Sequence, residues 1–174
     1  LVTMQPGVFK PDEGKSSQAP TVIQMPVPDL SALRTRVKQI IQPVSEDVDI
    51  TRMDMLVGVG RGIQQKENIE LAEELAEFLN SAVAGSRPVV DQGWLSISRL
   101  VGKSGRAVKP KLYLALGISG APEHVEALSG AGMIVAVNTD PNAPIFNFAR
   151  YGATADVLDL LPVLIEKVRD AKGG

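Results

Sequence analysis

The second half of the chain alternates short apolar runs with amphipathic or glycine-bearing segments. Residues 53–62 (MDMLVGVGRG), 111–120 (KLYLALGISG) and 132–140 (GMIVAVNTD) are largely apolar until a glycine or a polar residue ends each run. Continuous apolar runs of this length are typical of strands that are buried on both faces of a sheet. We predict a further strand in residues 86–94 (SRPVVDQGW), beginning at the proline.

Segments with helical periodicity separate these runs. Residues 66–83 (KENIELAEELAEFLNSAV) place their apolar side chains on one face at helical spacing, which predicts an amphipathic helix. Residues 121–128 (APEHVEAL) open as a helix with a proline in the first turn, where its missing N–H removes no helical hydrogen bond. A short helical segment is predicted in residues 144–152, and a longer helix in the last part of residues 153–171.

Strands that alternate with helices predict an α/β fold, in which a mainly parallel sheet carries helices on both faces as a three-layer domain. In such sheets ligands bind beyond the carboxyl ends of the strands. The residues expected there, such as GISG, NTD and TAD, are small or end in a single Asn or Asp. Glycine lets phosphate approach the backbone and Asn or Asp can bind ribose or a base, so this edge favours nucleotide binding.

Composition narrows the function classes. The 174 residues carry a formal net charge of −2, which gives no support to a nucleic-acid surface, and we expect no nucleic-acid partner. With no cysteine and one histidine, the chain has no disulfide or cysteine nucleophile, and we expect no metal site. No Ser-His-Asp set, carboxylate pair or phosphate-loop lysine motif is present, so a cofactor should carry any chemistry.

Single motifs remain ambiguous when each is taken by itself. GVGRG at 58–62 lacks the third glycine of the dinucleotide fingerprint, and an ordinary turn is the favoured interpretation. GISGAPEH at 117–124 leaves phosphate contact and an ordinary turn equally favoured. The basic loop at 101–110 (VGKSGRAVKP) is more typical of a mobile surface loop, and a lone histidine is more often an ordinary residue than a site residue.

The first third of the chain has a different composition. Residues 6–20 are rich in Pro, Gly, Ser and Lys, which predicts a linker or loop. In residues 34–44 (RTRVKQIIQPV) the apolar positions fit both a helical stripe and one face of a strand, so periodicity leaves the two open. We interpret a chain that begins at Leu1 as a piece of a longer protein.

Four linked stretches, in order and with close spacing, resemble a known family. VGVGRGI, SRPVVDQGW, VGKSGRAVKPKLYLALGISGAPEH and VAVNTDPNAPIFNFARYGATAD are similar to the FAD-binding domain of the alpha subunit of electron transfer flavoproteins. VTMQPGVFKP resembles the last part of that subunit's N-terminal domain. The resemblance implies that residues 1–50 are the tail of the N-terminal domain and a linker, with 34–44 as a strand. It also implies that residues 51–174 are a Rossmann-like FAD-binding domain.

The resemblance also implies how FAD lies in the domain. Arg87 matches an arginine whose guanidinium lies over the isoalloxazine, and Ser86 matches a serine near the pyrophosphate. The hydroxyl of Ser104 is expected to reach the flavin N5, and His124 is expected near the C2 carbonyl. A cation near the pyrimidine end would stabilise negative charge on the ring.

Asn138 and Asp156 match residues that hold the adenosine half of the cofactor. The full set of cofactor-binding residues implied by the resemblance is Arg61, Gly62, Ser86, Arg87, Val101, Lys103, Ser104, Gly105, Gly117, Ile118, Ser119, Gly120, Ala121, His124, Asn138, Asp140, Asp156 and Val157. There are departures from the family pattern. Lys103 stands where many members have Gln or Ser. Leu100 stands where a glutamine is frequent, so one hydrogen bond to the ring is expected to be missing.

The family implies an electron carrier with no substrate turnover of its own. Its members bind FAD non-covalently and pair with a beta subunit. They accept electrons from flavin dehydrogenases, such as the acyl-CoA dehydrogenases of fatty acid oxidation, and pass them to a quinone oxidoreductase. Some relatives work beside CoA reductases or nitrogen-fixation systems. The resemblance implies a cytoplasmic protein in a prokaryote, which is favoured, or a mitochondrial matrix protein in a eukaryote.

Two other functions remain open at the level of the sequence. An NAD(P)-dependent oxidoreductase or a transhydrogenase-type domain could use the same edge of the sheet, although the incomplete fingerprint at 58–62 argues against it. A subunit-interaction domain that has lost its cofactor is the second alternative. That function is disfavoured by the joint presence of Arg87, Ser104, Ser119, His124, Asn138 and Asp156.

Overall fold

The computed structural model divides the chain between Pro43 and Val44 into two units. The structure describes residues 14–15, 17–19, 21–26, 28–29, 31, 35, 38–39 and 47–173. The predicted linker at 6–20 lies largely outside the described residues. Residues 34–44, expected to form a strand, lie outside them except for Thr35, Lys38 and Gln39.

The second unit is built on a five-stranded sheet in which every described pair of neighbouring strands is parallel. The strands are β1 (Met55–Val59), β2 (Ala82–Gly85), β3 (Leu112–Leu116), β4 (Ile134–Asn138) and β5 (Tyr151–Thr154), in the order β2-β1-β3-β4-β5. The chain moves outward from β1 to β2 and then returns to the other side of β1 to form β3. This order puts the topological switch point between β1 and β3.

Among the described residues, four α-helices and several single-turn 3₁₀ helices precede, connect or follow these strands. The α-helices are α1 (Ile69–Phe78), α2 (Arg87–Asp91), α3 (Pro122–Glu126) and α4 (Val157–Ala171). The 3₁₀ helices span Ile50–Arg52, Arg61–Ile63, Lys66–Asn68, Ile97–Arg99 and Pro144–Asn147. The α/β three-layer fold predicted from the alternating pattern is confirmed.

The sheet separates two hydrophobic clusters. On the side that we call the α1/α4 face, the sheet contributes Val57, Val59, Val83, Leu114, Leu116 and Val137, which pack against apolar residues of α1 and α4. On the other side, the α3 face, the sheet contributes Leu56, Ala82, Ala84, Tyr113, Ala115, Ile134 and Ala136. Because four of these seven side chains are alanines, the segments that cover the α3 face can approach the sheet closely.

The structure corrects the prediction of a strand in residues 86–94. This segment contains α2, with Pro88 in the first helical turn, where its fixed φ fits a helix and its missing N–H removes no bond. The second strand is the preceding AVAG of β2, whose first two residues, Ala82 and Val83, the sequence pattern assigned to the end of the first helix. That helix ends at Phe78, and Asn80, with φ 49°, turns the chain toward the sheet. Alanine and glycine are weak strand formers, so β2 is specified by its pairing with β1 and not by local preference.

Candidate functional site

A cleft of 630 Å³ lies at the carboxyl ends of the strands. Segments that follow β1, β2, β3 and β4 all contribute to its lining, and the loop at 100–104 forms a further wall. It therefore includes the switch point between β1 and β3, where the segments that follow the two strands diverge. Its volume is within the range of small-molecule sites, which is roughly 300–1,000 Å³.

Two glycines form the floor of the cleft at the switch point. The N–H of Gly62 donates to the carbonyl of Gly117 at 3.1 Å, and a Cβ on Gly62 would lie 2.6 Å from the Gly117 Cα. Gly117 has φ +62°, a conformation that favours glycine. The floor is thus backbone against backbone, and a side chain at either position would force the two segments apart.

One wall carries a chain of polar contacts that begins on α2. The Nε of Arg87 donates to Asp91 Oδ1 at 2.6 Å, one turn further along the helix. The Nη1 of Arg87 donates to the hydroxyl oxygen of Ser104 at 3.0 Å. Since the Ser104 oxygen accepts from arginine, its own hydroxyl hydrogen remains able to donate to a ligand. Arg87 therefore fixes the loop at 100–104 against α2 and orients a donor beside the cleft.

Within the part of the chain that the structure describes, five polar side chains of the lining make no hydrogen bond or ion pair: Arg61, Ser86, Ser119, Glu123 and Thr139. The guanidinium of Arg61, directly after β1, is an unpaired cation. Ser86 is only 8% exposed and occupies the N-cap of α2, but its hydroxyl makes no cap hydrogen bond. Every fully buried side-chain nitrogen or oxygen of the described residues has a hydrogen-bond partner, so the unbonded Ser86 hydroxyl is open to the cleft and can bond a ligand there.

His124 lies on α3, which packs against the loop at 100–104, and both of its ring nitrogens are within hydrogen-bond distance of a protein group. Nδ1 is 3.0 Å from the carbonyl oxygen of Val101, and Nε2 is 3.1 Å from the hydroxyl of Tyr113. Burial lowers the pKa of His124 to about 4, while the hydrogen bond with the Val101 carbonyl acts in the opposite direction. His124 is therefore neutral at pH 7 in this structure.

The segment after β4 forms the remaining edge of the cleft. The Asn138 side chain donates to the carbonyl of Ile118 at 2.9 Å and accepts from the N–H of Asp140 at 2.9 Å. It therefore ties the segment after β3 to the segment after β4. The Asp140 carboxylate in turn accepts from the N–H of Asn142 at 2.9 Å, which closes a short turn.

The structure brings most of the predicted site residues into this one cleft. The residues expected from the sequence that line it are Arg61, Gly62, Ser86, Arg87, Val101, Lys103, Ser104, Gly117, Ile118, Ser119, Ala121, His124, Asn138 and Asp140. Their convergence from distant parts of the sequence is what a bound ligand of extended shape would require.

Four predicted residues are outside the lining. Gly105 packs on the carbonyl of Leu100, and Gly120, with φ +87°, packs on the backbone of Ile145. Asp156 caps α4, because its Oδ1 accepts from the N–H of Leu158 at 2.8 Å. The Val157 side chain is 2% exposed and belongs to the core of the α1/α4 face. These positions have structural roles in the loops and in α4.

Sequence reasoning did not select several residues of the lining. They are Pro88, Leu100, Gly102, Glu123, Thr139, Ala143 and Pro144. Each is a neighbour of a predicted residue or of a helix start, so a broader window around each motif would have included them. Ala143 and Pro144 carry no signal of their own, because they reach the cleft only through the 3₁₀ helix that follows the turn after Asp140.

Two further findings concern residues 47–173 and the shorter described segments. Within them, no group of three or more His, Cys, Asp or Glu side chains is arranged to hold a metal ion. In the same residues, no helix has the length and apolar character needed to cross a membrane.

Comparison with known proteins gives a consistent result. A family model described as the electron transfer flavoprotein FAD-binding domain matches residues 49–129. The chain is 39% identical to Protein FixB of Azotobacter vinelandii, over 99% of this chain and 48% of the relative. It is also 39% identical to the electron transfer flavoprotein subunit alpha of Thermoanaerobacterium thermosaccharolyticum, over 99% and 52%.

A third relative has a more specific name. The acryloyl-CoA reductase electron transfer subunit beta of Anaerotignum propionicum is 41% identical, over 99% of this chain and 48% of the relative. The chain thus spans about half the length of the curated relatives that it matches. The chain belongs to the electron transfer flavoprotein alpha-subunit family, and residues 49–129 match its FAD-binding domain.

Proposed function

We propose that the cleft binds FAD non-covalently and that the protein is the alpha subunit of an electron carrier. The observation that supports this most directly is the lining itself. The cleft has a glycine floor at the switch point, an unpaired cation at Arg61 and, at Ser86, a hydroxyl that makes no cap hydrogen bond and is open to the cleft. Such an edge of a parallel sheet is suited to a phosphate-bearing cofactor.

The chemical character of the lining fits the two ends of a flavin dinucleotide. Arg61 and Ser86 would contact the negatively charged pyrophosphate, because a cation and a free donor are what phosphate oxygens require. Arg87 and Ser104 would lie at the ring system, where Arg87 supplies positive charge and Ser104 a hydroxyl donor. Asn138 and Asp140 would lie toward the adenosine half.

When bound, the flavin supplies the redox chemistry, which no side chain of the lining can supply. The protein's contribution is positioning and electrostatics. The ion pair with Asp91 holds the Arg87 guanidinium in place and offsets part of its charge, so Arg87 would act on a nearby negative charge chiefly through its remaining N–H donors. The cleft wall at His124 contributes a neutral imidazole at pH 7.

The partners belong to the same proposal. The relatives' names describe an electron transfer flavoprotein subunit and an electron transfer subunit of a CoA reductase. We propose a beta subunit as the permanent partner. Flavin dehydrogenases, of which acyl-CoA dehydrogenases are one type, would be the electron donors, and a quinone oxidoreductase would be the acceptor.

Titration of the purified protein with FAD, followed by visible absorbance and flavin fluorescence, tests the cofactor. We expect a saturable spectral change and one FAD per chain. Arg61→Ala should weaken FAD binding by about tenfold or more, since hydrogen bonds to charged groups contribute about 1.5–3 kcal/mol. Arg150→Ala removes the same charge from an exposed position outside the cleft lining and should leave the affinity unchanged.

The competing dehydrogenase function predicts a different outcome in the same experiment. A protein that binds NAD(H) in preference to FAD would replace the flavoprotein proposal. Equal loss of FAD affinity in Arg61→Ala and Arg150→Ala would show that binding depends on net charge and not on the cleft.

A further inference from the structure

Tyr113 is a buried phenol behind the wall of the cleft. It lies on β3 on the α3 face, is 0% exposed, and does not line the cleft itself. Its hydroxyl oxygen is 3.1 Å from Nε2 of His124, which does line the cleft. The neighbouring strand provides room for this hydroxyl, because a Cβ on Gly58 would lie 2.1 Å from it. The contact therefore depends on residues of two strands and a helix.

The chemistry of the two hydrogen bonds determines where the protons are. The Val101 carbonyl can only accept, so His124 Nδ1 carries the hydrogen and donates to it. In a neutral imidazole Nε2 is then an acceptor, and the Tyr113 hydroxyl donates to it. Each of the three groups has a partner in this arrangement, and no other tautomer of the neutral ring satisfies both contacts.

Protonation of the imidazole would break this arrangement. Nε2–H would then require an acceptor, and the Tyr113 oxygen could serve only by turning its own hydrogen away. No other hydrogen bond of the Tyr113 hydroxyl is found among the described residues, so that hydrogen would be buried without a partner. An unsatisfied buried donor costs free energy, and this cost opposes the charged imidazole in addition to the cost of burial.

Charged side chains occur on each element around the imidazole. Glu123 and Glu126 lie on α3 itself, and Lys103, from the neighbouring loop, is 3.6 Å from Glu126 and neutralises it. Arg61 lies in the lining of the cleft. Tyr113 on β3 is the remaining titratable group, and burial keeps it protonated by raising its pKa far above the usual 10.0. Arg87, also in the lining, is paired with Asp91. Burial first, and then the hydrogen bond with the Val101 carbonyl, act on the pKa of His124, and the Tyr113 hydroxyl is the ring's side-chain partner.

We infer that Tyr113 is a positioning residue that holds His124 as a neutral imidazole with its hydrogen on Nδ1, and so keeps the cleft wall uncharged. A ligand group beside His124 is then next to a positively charged imidazole only after the ring takes up a proton from solvent. A negative charge in the cleft favours that uptake, and the Tyr113 hydroxyl must reorient when it occurs. The consequence for a bound flavin rests on the proposed function, whereas the state of the imidazole does not.

The chain has one histidine, so ¹⁵N labelling of histidine gives NMR signals from His124 alone. In the wild-type protein we expect the Nδ1–H tautomer at pH 7 and no titration of the ring near pH 6.5. In Tyr113→Phe we expect the imidazole pKa to rise by about one unit, a tenfold larger protonated fraction at a given pH, because the donor to Nε2 is lost. Tyr151→Phe is the matched control: it removes the same hydroxyl from the other tyrosine, which is 62% exposed, and should leave the signals unchanged.

An Nε2–H tautomer in the wild-type protein would overturn the inference without any variant, so it stays testable if Tyr113→Phe does not fold. Identical imidazole pKa values in Tyr113→Phe and the wild type would also overturn it. These measurements need no cofactor, so failure to bind FAD would reject the proposed function and leave this result standing. In flavin-loaded protein, the pH dependence of the reduction potential should differ between Tyr113→Phe and Tyr151→Phe. If the two profiles coincide, Tyr113 does not affect the reduction potential of the flavin.

Discussion

The two faces of the sheet are covered in different ways. The α1/α4 face has valine and leucine on the sheet and two amphipathic helices of ten and fifteen residues over it. The α3 face has mainly alanine on the sheet, and a five-residue helix, a 3₁₀ helix and loops cover it. The buried Tyr113–His124 contact lies on this second side.

The α1/α4 face therefore contributes mainly to stability, and the α3 face mainly to the specific geometry of the cleft. On the α1/α4 face, apolar area alone determines how the helices pack. On the α3 face, short segments must be fixed by individual hydrogen bonds, and the same segments line the cleft. Each of the following experiments asks whether that division holds.

The largest effect should come from matched leucine truncations. Leu161 on α4 and Leu128 after α3 are 1% and 2% exposed, so each Leu→Ala change should lower the free energy of unfolding by about 3 kcal/mol. Leu161→Ala should leave the FAD affinity of the folded protein unchanged, whereas Leu128→Ala should also weaken it, because Leu128 supports α3. Urea denaturation and FAD titration measure the two quantities. If Leu161→Ala and Leu128→Ala change the FAD affinity equally, the two faces do not differ in their effect on the cleft.

A fall in pH should lower the stability of the protein through His124, which lies on the α3 face. The pKa of His124 is near 6.5 in the unfolded chain and about 4 in the folded protein, so the unfolded chain binds a proton first as the pH falls. Stability is therefore complete above pH 6.5 and should decrease by about 2 kcal/mol between pH 7 and pH 5. Denaturation at several pH values measures this loss, and His124→Gln should remove it.

Carboxylates act in a different range of pH. The pKa of Asp47 is lowered from 3.8, first by the hydrogen bond from Arg99, so its contribution to stability is lost only as the pH falls through that lower value. A loss of stability between pH 7 and pH 5 that persists in His124→Gln would therefore contradict the assignment to the imidazole.

A smaller effect is expected when the Ser86 hydroxyl, which has no hydrogen-bond partner among the described residues, is removed. Ser86→Ala should reduce FAD affinity by about tenfold, because one hydrogen bond to a charged group is lost. Its effect on stability should stay within about 0.5 kcal/mol, since the hydroxyl makes no bond in the protein. Isothermal titration gives the affinity, and Ser129→Ala, at an exposed position, is the control. A stability loss without an affinity change would give Ser86 a purely structural role.

The smallest effect should come from the surface of the α1/α4 face. Arg169 forms an ion pair with Glu74 at 3.2 Å, and its guanidinium lies 5.2 Å from the centroid of the Phe78 ring. Glu74→Gln should cost about 0.5 kcal/mol, because both partners are half exposed and the ring contact remains. Thermal unfolding at low and high salt measures it. A larger loss would mean that this face also depends on specific polar contacts.

The fold could be predicted wherever burial imposes a pattern. β1, β3 and β4 are apolar on both faces and lie in the middle of the sheet, so the sequence alone identifies them. β2 could not be found in this way, because its Ala-Val-Ala-Gly sequence has little strand preference and follows a helix without a break in the apolar pattern. Pro88 is compatible with a strand start and with the first turn of a helix, and in the structure it lies in the first turn of α2, after the N-cap Ser86.

The site could be predicted in part, and for a different reason. The motifs at 101–110 and 117–124 became informative through their joint resemblance to a family, while the spacing of each left its role open. The contact between Tyr113 and His124 had no signal in the sequence. In the sequence Tyr113 is typical of a buried strand residue, and His124 comes eleven positions later. The two side chains meet only because α3 packs on the sheet.

The backbone contact between Gly62 and Gly117 also has a dynamic consequence. Its hydrogen bond joins the 3₁₀ helix after β1 to the segment after β3, so the amide of Gly62 should exchange with solvent more slowly than amides without a partner. The floor of the cleft is then preorganised, and a ligand need not order it. Any rearrangement on binding would be confined to the walls, chiefly the loop at 100–104.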